Sequence, residues 1–531
     1  MRGGETFPPE LRVNETKSSV SSRRSSSIRG TPAPEKNAFS DANLWSNIFG
    51  NIREPRNATF LLAVLCVITT ASASTITWPA KQQLLVEFGE DMHSFERRDS
   101  FAFYLAGVIF APIMGYFAGI VSRRHLFLVL ATVGGLAVIL TGVAINLEMY
   151  YFLRFVAGFS YGATHPVCAS LIGDLFDSWQ RQKVAGMVVL SIGFGTACGL
   201  LVTNVAVADI QSFADMKEVA IASNALQVTS ATGSTVLQPL SIWIRLVWAA
   251  TGLTTIASGV LMFLFGSEPP RGQFDVKVVS AKPTSRQMRT VFSWTNLLCL
   301  MTSFPGLMPF AVIFAKFKEL SLGNTHISIF AFSGFIGILV AAQVGTRLRH
   351  ISDQLPAAYS GVAVMLRMVP GVLVASGFVA DHPGFLGLSV MAVYGFITAQ
   401  NVPFTSAVIL NANTPGTRGL VASVHVLAED VSRALAPLFF QMTLPDHYDN
   451  QKLRTYLTYW MVVVYFLVGL SVFLIAWTER SDMANVKQIL EEELDESVRA
   501  REKAQSQERI SINSVLTAEA FRRSIGQNAN N

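Results

Sequence analysis

The feature that most constrains this chain is a series of twelve apolar runs, each of about 20 residues. A run of this length lets a helix cross the hydrocarbon core of a bilayer. Because lipid offers no hydrogen-bond partners, such a segment must be a helix that satisfies its own backbone. The sequence therefore predicts an all-α integral membrane protein with twelve transmembrane helices. The predicted spans are residues 59–79, 101–121, 126–146, 150–173, 184–206, 243–266, 292–315, 326–346, 356–378, 385–410, 419–442 and 455–477.

Composition excludes most other classes of protein. Hydrophobic residues make up 51% of the chain and charged residues only 15%, which a soluble fold of this size could not bury. The net charge of +5 lies mostly in the tails and loops, so we expect no nucleic acid partner. No nucleophile motif, paired acids, metal-ligand spacing or nucleotide loop is visible, so we expect neither an enzyme nor a cofactor or metal site. The four cysteines lie within apolar runs, at Cys66, Cys168, Cys198 and Cys299.

The positions of the spans divide the chain into five regions. Transporters of this size commonly consist of two related halves, and a polar interval after the sixth span separates two such halves here. The regions are a disordered cytosolic tail (1–56), an N-terminal six-helix bundle (57–266), a cytosolic central loop (267–291), a C-terminal six-helix bundle (292–478) and a cytosolic tail with a charged helix (479–531).

The distribution of Lys and Arg predicts that both termini are cytosolic. The loops on the side of the termini carry twelve Lys and Arg residues, whereas the longer loops on the other side carry nine. Positive charge is normally retained on the cytosolic side of a membrane. We expect a multi-pass monomer surrounded by membrane lipids, in the plasma membrane or in an endomembrane such as the lysosome.

An internal repeat relates the two halves. Span 4 reads "GFSYGATHPVCASLI" from Gly158, and span 10 reads "GFITAQNVPFTSAVI" from Gly395, an offset of 237 residues. The same offset carries Arg181 onto Arg418 across an intervening loop. Two unrelated pairs of segments rarely keep one offset, so we interpret the halves as duplicates of one six-helix unit.

Twelve spans with a six-plus-six repeat resemble the major facilitator superfamily. "GYFAGIVSRRH" (residues 115–125) is similar to the loop signature Gly-x-x-x-Asp-Arg-x-x-Arg-Arg/Lys of that superfamily, which helps to latch the two bundles together. This chain departs from it at Gly119 and Ile120, where Asp and Arg are expected. "TRLRH" (residues 346–350) is a similarly altered copy after span 8, so the usual gating charges are missing.

Other segments resemble the Spinster branch of this superfamily. They are "LIGDLF" (171–176), "WIRLVW" (243–248), "SEPPRG" (267–272) and "TRGLVASVHVLAEDVSRALAPL" (417–438). The resemblance covers about residues 59–480 and implies a transporter of lysophospholipids or sphingosine phosphate, often with proton coupling. Tyr161 stands where Spinster proteins usually carry a glutamate in span 4. Proton coupling through that position is therefore lost or moved.

Span 11 carries four of the ionisable residues that the apolar runs contain. His425, Glu429 and Arg433 form an i, i+4, i+8 stripe, and Asp430 lies within i, i+3 reach of Arg433. One interpretation is a salt-bridge latch inside the second bundle, in which Arg367 of span 9 bonds Asp430. The other is that these five residues take part in coupling or gating, with His425 as a proton carrier or as a packing residue.

A substrate site is predicted at mid-membrane. Arg154 shows no acidic partner in the first six spans, and an unpaired arginine beside a cavity suits an anion. Tyr161 and His165 follow one and two turns along span 4. Gln400 and Asn401 of span 10 could complete the site or could form helix–helix hydrogen bonds. Three intramembrane arginines against two acids leave a charge of +1, which favours an anionic or zwitterionic substrate.

These observations predict a secondary active transporter that moves a small anionic or zwitterionic amphiphile, a lysophospholipid or sphingoid phosphate, by alternating access. Protons are a candidate coupling ion. Two alternatives stay open at this point. One is a transporter of a water-soluble organic anion or sugar, and the other is a transporter-like receptor or sensor that binds its ligand without moving it.

Overall fold

The structure is a computed structural model, and it describes most of the two predicted bundles. The described residues are 48, 50–51, 53–77, 80, 84, 88, 92–178, 180–224, 242–272, 283–315, 324–443 and 450–528. The predicted N-terminal tail up to residue 47 lies outside these residues, as do residues 273–282 of the predicted central loop. Within the described residues all regular structure is helical.

Helices α1 to α16 follow one another along the chain. The first half contains α1 (Pro55–Thr75), α2 (Met92–Ala118), α3 (Arg123–Thr141), α4 (Leu147–Leu175), α5 (Arg181–Asn224) and α6 (Ile242–Phe265). A short helix, α7 (Ser285–Thr290), precedes the second half. The second half contains α8 (Trp294–Ala315), α9 (Asn324–Ile351), α10 (Leu355–Leu366), α11 (Met368–Ala375), α12 (Phe378–Asp381), α13 (Phe385–Thr398), α14 (Asn401–Asn411), α15 (Arg418–Thr443) and α16 (Asn450–Asn528).

These helices account for the twelve predicted spans. In the described part of the chain, nine helical segments are long and apolar enough to cross a membrane. Three more helices, α4, α8 and α15, lie at predicted spans 4, 7 and 11. α10 with α11, and α13 with α14, each form one span. The predicted all-α fold of twelve transmembrane helices is confirmed.

Prolines explain why two of the spans are interrupted. α10 gives way to α11 at Arg367, three residues before Pro370, which has no N–H to donate to the carbonyl of Leu366. The span is interrupted between α13 and α14 for the same reason, because Pro403 has no N–H to donate to the carbonyl of Ala399. At both interruptions the side chain that links the two helices, Arg367 or Gln400, is buried against neighbouring helices.

The spans pack as two bundles that meet along two seams. In the first bundle, α2 packs on α4, α3 on α4 and α6, and α1 on α5 and α6. In the second, α15 and α16 pack on α8, α10 packs on α16, and α9 packs on α13. Between the bundles, α15 contacts α2 and α4, while α9 and α14 contact α5. We call the side of the membrane on which α1, α3, α5 and α15 begin the terminal face.

The repeat is visible in two equivalent arginines at the terminal face. Arg181, at the start of α5, donates from Nη2 to the carbonyl oxygen of Gly173 at 2.7 Å. Arg418, at the start of α15, donates from Nε to the carbonyl oxygen of Leu410, also at 2.7 Å. Each arginine thus binds the carbonyl oxygen eight residues before it. The two arginines are 237 residues apart, and so are the two carbonyls, as the predicted offset requires.

The same two arginines also reach across to the opposite bundle. Arg181 Nη1 donates to Asn411 Oδ1 at 3.0 Å, and Arg418 Nη1 lies 3.6 Å from Asp174 Oδ1. Asp174 and Asn411 are again separated by 237 residues. Each half therefore supplies an arginine to the equivalent acceptor of the other half, which ties the bundles together at the terminal face.

Buried ion pairs reinforce this face in both bundles. The Arg123 guanidinium bonds the Asp174 carboxylate directly, and its Nη1 lies 3.2 Å from Glu268 Oε1. In the second bundle, Arg349 Nη2 lies 2.7 Å from Glu479 Oε1. Arg123, Arg349 and their partners Asp174 and Glu479 are almost entirely buried, so the cost of desolvation is offset only because each charge is paired.

Glycines allow α2 and α15 to approach closely at the terminal face. A Cβ at Gly115 would overlap the carbonyl oxygen of Gly419, and a Cβ at Gly419 would overlap that of Gly115. The carbonyl oxygen of Gly416 occupies the space beside Gly119 in the same way. This explains why Gly119 replaces the aspartate of the loop signature, since no side chain fits there. The two bundles are in direct backbone contact at this position.

The charged tail is the C-terminal part of α16, and it packs on α7, the short helix before the second bundle. Glu493 accepts hydrogen bonds from Thr284 Oγ1 and Gln287 Nε2, both at 2.5 Å. Leu490 and Val486, one and two turns earlier, are buried. Part of this segment therefore has a packed face, which its charged sequence did not indicate.

Replacing Gly115 by Leu should prevent closure of the terminal face. The side chain would overlap Gly419, and overpacking of about 1–3 kcal/mol corresponds to a shift of roughly 5- to 150-fold toward separated helices. The readout is the labelling rate of a cysteine introduced at buried Ala118, which would rise. Gly193→Leu is the matched control, because nothing lies within 4 Å of a Cβ at Gly193. Equal labelling in both variants would show that the contact does not hold the face closed.

Candidate functional site

The predicted stripe on α15 forms a connected group of ionisable side chains. Arg433 Nη2 lies 3.1 Å from Glu429 Oε2, and His425 Nε2 lies 3.5 Å from Glu429 Oε1. Ser303 of α8 lies 2.7 Å from His425 Nδ1, so the ring is held between two neighbours. The side chains that helical spacing places on one face of α15 are therefore in direct contact with one another.

Asp430 points from the same helix into the seam with the first bundle. Arg433 Nη1 donates to Asp430 Oδ1 at 3.3 Å. Asp430 Oδ2 is buried, has no hydrogen-bond partner among the described residues, and fills the space beside Gly107 of α2. A Cβ at Gly162 of α4 would lie 3.4 Å from the same oxygen. Asp430 thus forms its salt bridge within the second bundle, to Arg433, while its other carboxylate oxygen contacts the first bundle.

Two residues of the predicted substrate site join this group from the first bundle. Tyr161 lies within electrostatic range of Arg433, Asp430 and Glu429. His165 lies within range of Glu429 and His425, and the two histidines line a cavity of about 20 Å³. A space of this size holds about one water molecule. The structure thus brings together residues that the sequence had assigned to two separate sites.

Arg154 is not the unpaired arginine that the sequence suggested. Its Nε lies 2.8 Å from Asp99 Oδ1, which also accepts from the Tyr150 hydroxyl at 3.0 Å. The guanidinium lies 4.5 Å from the centre of the Phe103 ring, which also contacts the ring of Tyr161. Sequence reasoning missed Asp99 because it precedes the apolar run of span 2, whereas α2 already begins at Met92. A role of Arg154 in substrate binding stays a prediction.

Arg367 does not bond Asp430. Its guanidinium lies 4.0 Å from the centre of the Tyr465 ring, and its Nε has no hydrogen-bond partner among the described residues. The Tyr465 hydroxyl in turn lies 2.8 Å from the Tyr394 hydroxyl. Arg367 therefore belongs to the aromatic core of the second bundle, away from the seam, and the expected pairing is wrong.

Gln400 and Asn401 make the helix–helix hydrogen bonds that were the alternative interpretation. Tyr359 Oη donates to Gln400 Oε1 at 2.7 Å, and Ser360 Oγ donates to Asn401 Oδ1 at 2.6 Å. These bonds join α10 to the interruption between α13 and α14. They satisfy both amide oxygens inside the second bundle, and a further role in substrate binding is untested.

The charge balance of the membrane region changes once Asp99 is included. Arg154 and Asp99 neutralise each other, and Arg367 lies apart from the seam. Arg433 then faces both Glu429 and Asp430, which leaves one excess negative charge at the seam when the histidines are neutral. The sum of +1 expected from the sequence is wrong.

The fold and this seam define a multi-pass membrane protein whose two helical bundles share one buried polar group. The Major Facilitator Superfamily model matches residues 63–437, which is more than half of the chain. The chain belongs to the major facilitator superfamily. Members of this superfamily are transporters, which agrees with the expectation that the chain is not an enzyme. The resemblance to the Spinster branch stays a prediction.

Individual relatives are distant. An MFS-type transporter of Aspergillus terreus (strain NIH 2624 / FGSC A1156) is 27% identical over 148 residues, which are 27% of this chain and 26% of that protein. The chain thus matches about a quarter of the length of this curated relative.

Two solved structures share the fold. The human organic anion transporter MFSD10 (TETRAN) has a TM-score of 0.55 and 13% identity, over 80% of this chain and 99% of its own. The proton:xylose symporter XylE bound to 6-bromo-6-deoxy-D-glucose has a TM-score of 0.57 and 14% identity, over 83% and 96%. At such low identity the likeness shows the fold alone.

The pairing of Arg154 with Asp99 predicts a specific pattern of stabilities. Arg154→Leu or Asp99→Leu alone leaves one buried charge uncompensated and should destabilise the protein by about 3–5 kcal/mol. The double variant removes both charges and should lose less than either single variant. Thermal unfolding of the purified protein in one detergent measures all three. Losses that simply add would show that the two side chains act independently.

Proposed function

We propose that this protein is a secondary active transporter that moves a small amphiphile with a charged head group across a membrane by alternating access. The substrate class is a lysophospholipid or a sphingoid phosphate, as the resemblance to Spinster proteins implies. We place both termini in the cytosol, on the bias of Lys and Arg between the loops. The transporter acts as a monomer in this proposal.

The observation that supports transport is the polar group shared by both bundles. Tyr161 and His165 come from the first bundle, whereas Glu429, Asp430 and Arg433 come from the second. A ligand that binds such a group interacts with both bundles at once. Its binding energy therefore differs between arrangements of the bundles, which is what couples binding to a conformational change.

The revised charge balance favours a zwitterionic head group over a simple anion. Arg433 can bind a phosphate, while the carboxylates of Glu429 and Asp430 favour a cation. The ring of Tyr104, 5.9 Å from the Arg433 guanidinium, and that of Tyr161 offer aromatic faces to an ammonium group. A lysophospholipid with an amine in its head group meets all of these requirements.

A water-soluble organic anion or a sugar is the second candidate substrate. The human organic anion transporter and the xylose symporter share this fold, and by their descriptions they handle such solutes. A receptor that does not transport is less well supported. The close contacts of Gly115 and Gly119 provide a latch in place of the missing signature charges, so the altered signature no longer argues against a working gate.

The proposal is tested by flux into liposomes that contain the purified full-length protein. The probes are lysophosphatidylcholine, sphingosine phosphate, a dicarboxylate and xylose, each with and without a pH gradient. Uptake of a lysolipid that empty liposomes do not show would support the proposal. Uptake of only the dicarboxylate or xylose would replace the lipid by a water-soluble substrate. Ligand binding without any flux would favour the receptor.

Arg433→Ala should reduce this flux by more than it reduces insertion into the membrane. Loss of the arginine leaves two carboxylates without their shared cation and removes the side chain proposed to bind the phosphate of the substrate. Flux per inserted molecule is the quantity to compare. Arg480→Ala is the control, because Arg480 is exposed at the terminal face. Equal losses of flux and insertion would mean that Arg433 is structural.

A further inference from the structure

Two carboxylates in the seam share one arginine. Arg433 lies 3.1 Å from Glu429 and 3.3 Å from Asp430 through different guanidinium nitrogens. If both acids are ionised, the group carries one uncompensated negative charge inside the membrane. An isolated charge in such a place is costly, and protonation of one acid removes that cost.

The contacts distinguish the two acids. Glu429 keeps about a quarter of its side chain exposed and contacts both Arg433 and His425. The Asp430 side chain is 1% exposed, and its Oδ2 meets the backbone of Gly107 without a hydrogen-bond partner among the described residues. A carboxylate oxygen without donors or water is poorly suited to negative charge. Asp430 is therefore the acid whose ionised form the closed seam disfavours.

The titratable groups that face Asp430 supply no second cation within the described residues. α2 contributes Tyr104 beside Gly107, and α4 contributes Tyr161 beside Gly162. On α15 itself, Glu429 and Arg433 are the charged neighbours. The nearby histidines are His165 of α4 and His425 of α15, of which His425 is bonded by Ser303 of α8.

We propose that Asp430 is the proton-coupling residue of this transporter, which binds a proton on Oδ2 while α2 and α15 are packed and releases it when they separate at Gly107. On separation the O–H bond breaks, the proton passes to water that enters the seam, and the electron pair stays on Oδ2. The carboxylate is then stabilised by water and by Arg433. This inference rests on the proposed function and names its coupling ion as the proton.

The arrangement couples one proton to the position of the bundles. Asp430 lies on the second bundle, whereas the surface that excludes water from it, at Gly107 and Gly162, belongs to the first. Protonation therefore stabilises the packed seam and ionisation stabilises the separated one, by linkage between the two equilibria. His425 is the competing site, because its protonation beside Glu429 would also balance the charge.

The test measures bundle positions against pH in the full-length protein in lipid nanodiscs. Spin labels are attached in separate samples to one pair of cysteines at the terminal face, Val121→Cys with Ile351→Cys, and to one at the other face, Ile145→Cys with Phe385→Cys. All four positions are exposed. Cys198, the one native cysteine of the described residues that is not buried, is replaced by Ala.

We expect alkaline pH to shift the distances of at least one pair in the wild type toward separated bundles. Asp430→Asn, which cannot ionise, should abolish that shift, whereas Glu429→Gln and His425→Gln should retain it. Absence of any shift in the wild type, its persistence in Asp430→Asn, or its loss in His425→Gln alone would overturn the proposal.

A second measurement separates this inference from the proposed function. In liposomes, a pH gradient should raise the accumulation of labelled lysophosphatidylcholine by the wild type and by the control Arg480→Ala, whereas accumulation by Asp430→Asn should be the same with and without the gradient. Accumulation that still follows the gradient would overturn the role of Asp430. If the wild type moves none of the probes yet shows the pH-dependent distances, the transport proposal fails and the proton site stands.

Discussion

Close contact between α2 and α15 is the constraint on which the rest of this structure depends. Gly115 brings the backbone of α2 against Gly419 of α15, and Gly107 brings it against Asp430. Water is thereby excluded from a carboxylate that would otherwise be hydrated. The same pair of helices therefore has a close backbone contact, which leaves no room for side chains, and a buried carboxylate, which needs a partner for its charge. A change in their separation alters both.

The architecture was predictable because it depends on patterns within single segments. The twelve apolar runs gave the helices, and the offset of 237 gave the equivalence of Arg181 with Arg418. The i, i+4, i+8 spacing gave the contacts among His425, Glu429 and Arg433, since residues one turn apart on a helix are neighbours in any fold. Each of these inferences needed only the spacing of residues along the chain.

Contacts between distant segments were not predictable in the same way. Asp99 was overlooked because the helix extends beyond the apolar run, so its bond to Arg154 was invisible. Arg367 was assigned to Asp430 because charges were matched without regard to aromatic rings, and the structure places Tyr465 against it. The sequence showed Gly119 only as the loss of a charge from the signature, whereas in the structure the missing side chain leaves room for the carbonyl oxygen of Gly416. A sequence names such residues but gives no distance between helices.

The crossed arginines at the terminal face bear on how such a chain could arise. Arg181 reaches Asn411 and Arg418 reaches Asp174, so each half supplies an acceptor for the arginine of the other. If the two halves were separate, identical six-helix chains related by a two-fold axis, one arginine and one acceptor in each chain would be enough to form both bonds. Separate halves could therefore form this pair of contacts without a covalent link between them. In the present chain the two acceptors differ, because Asp174 also neutralises Arg123, whereas Asn411 accepts from Arg181 without a charge.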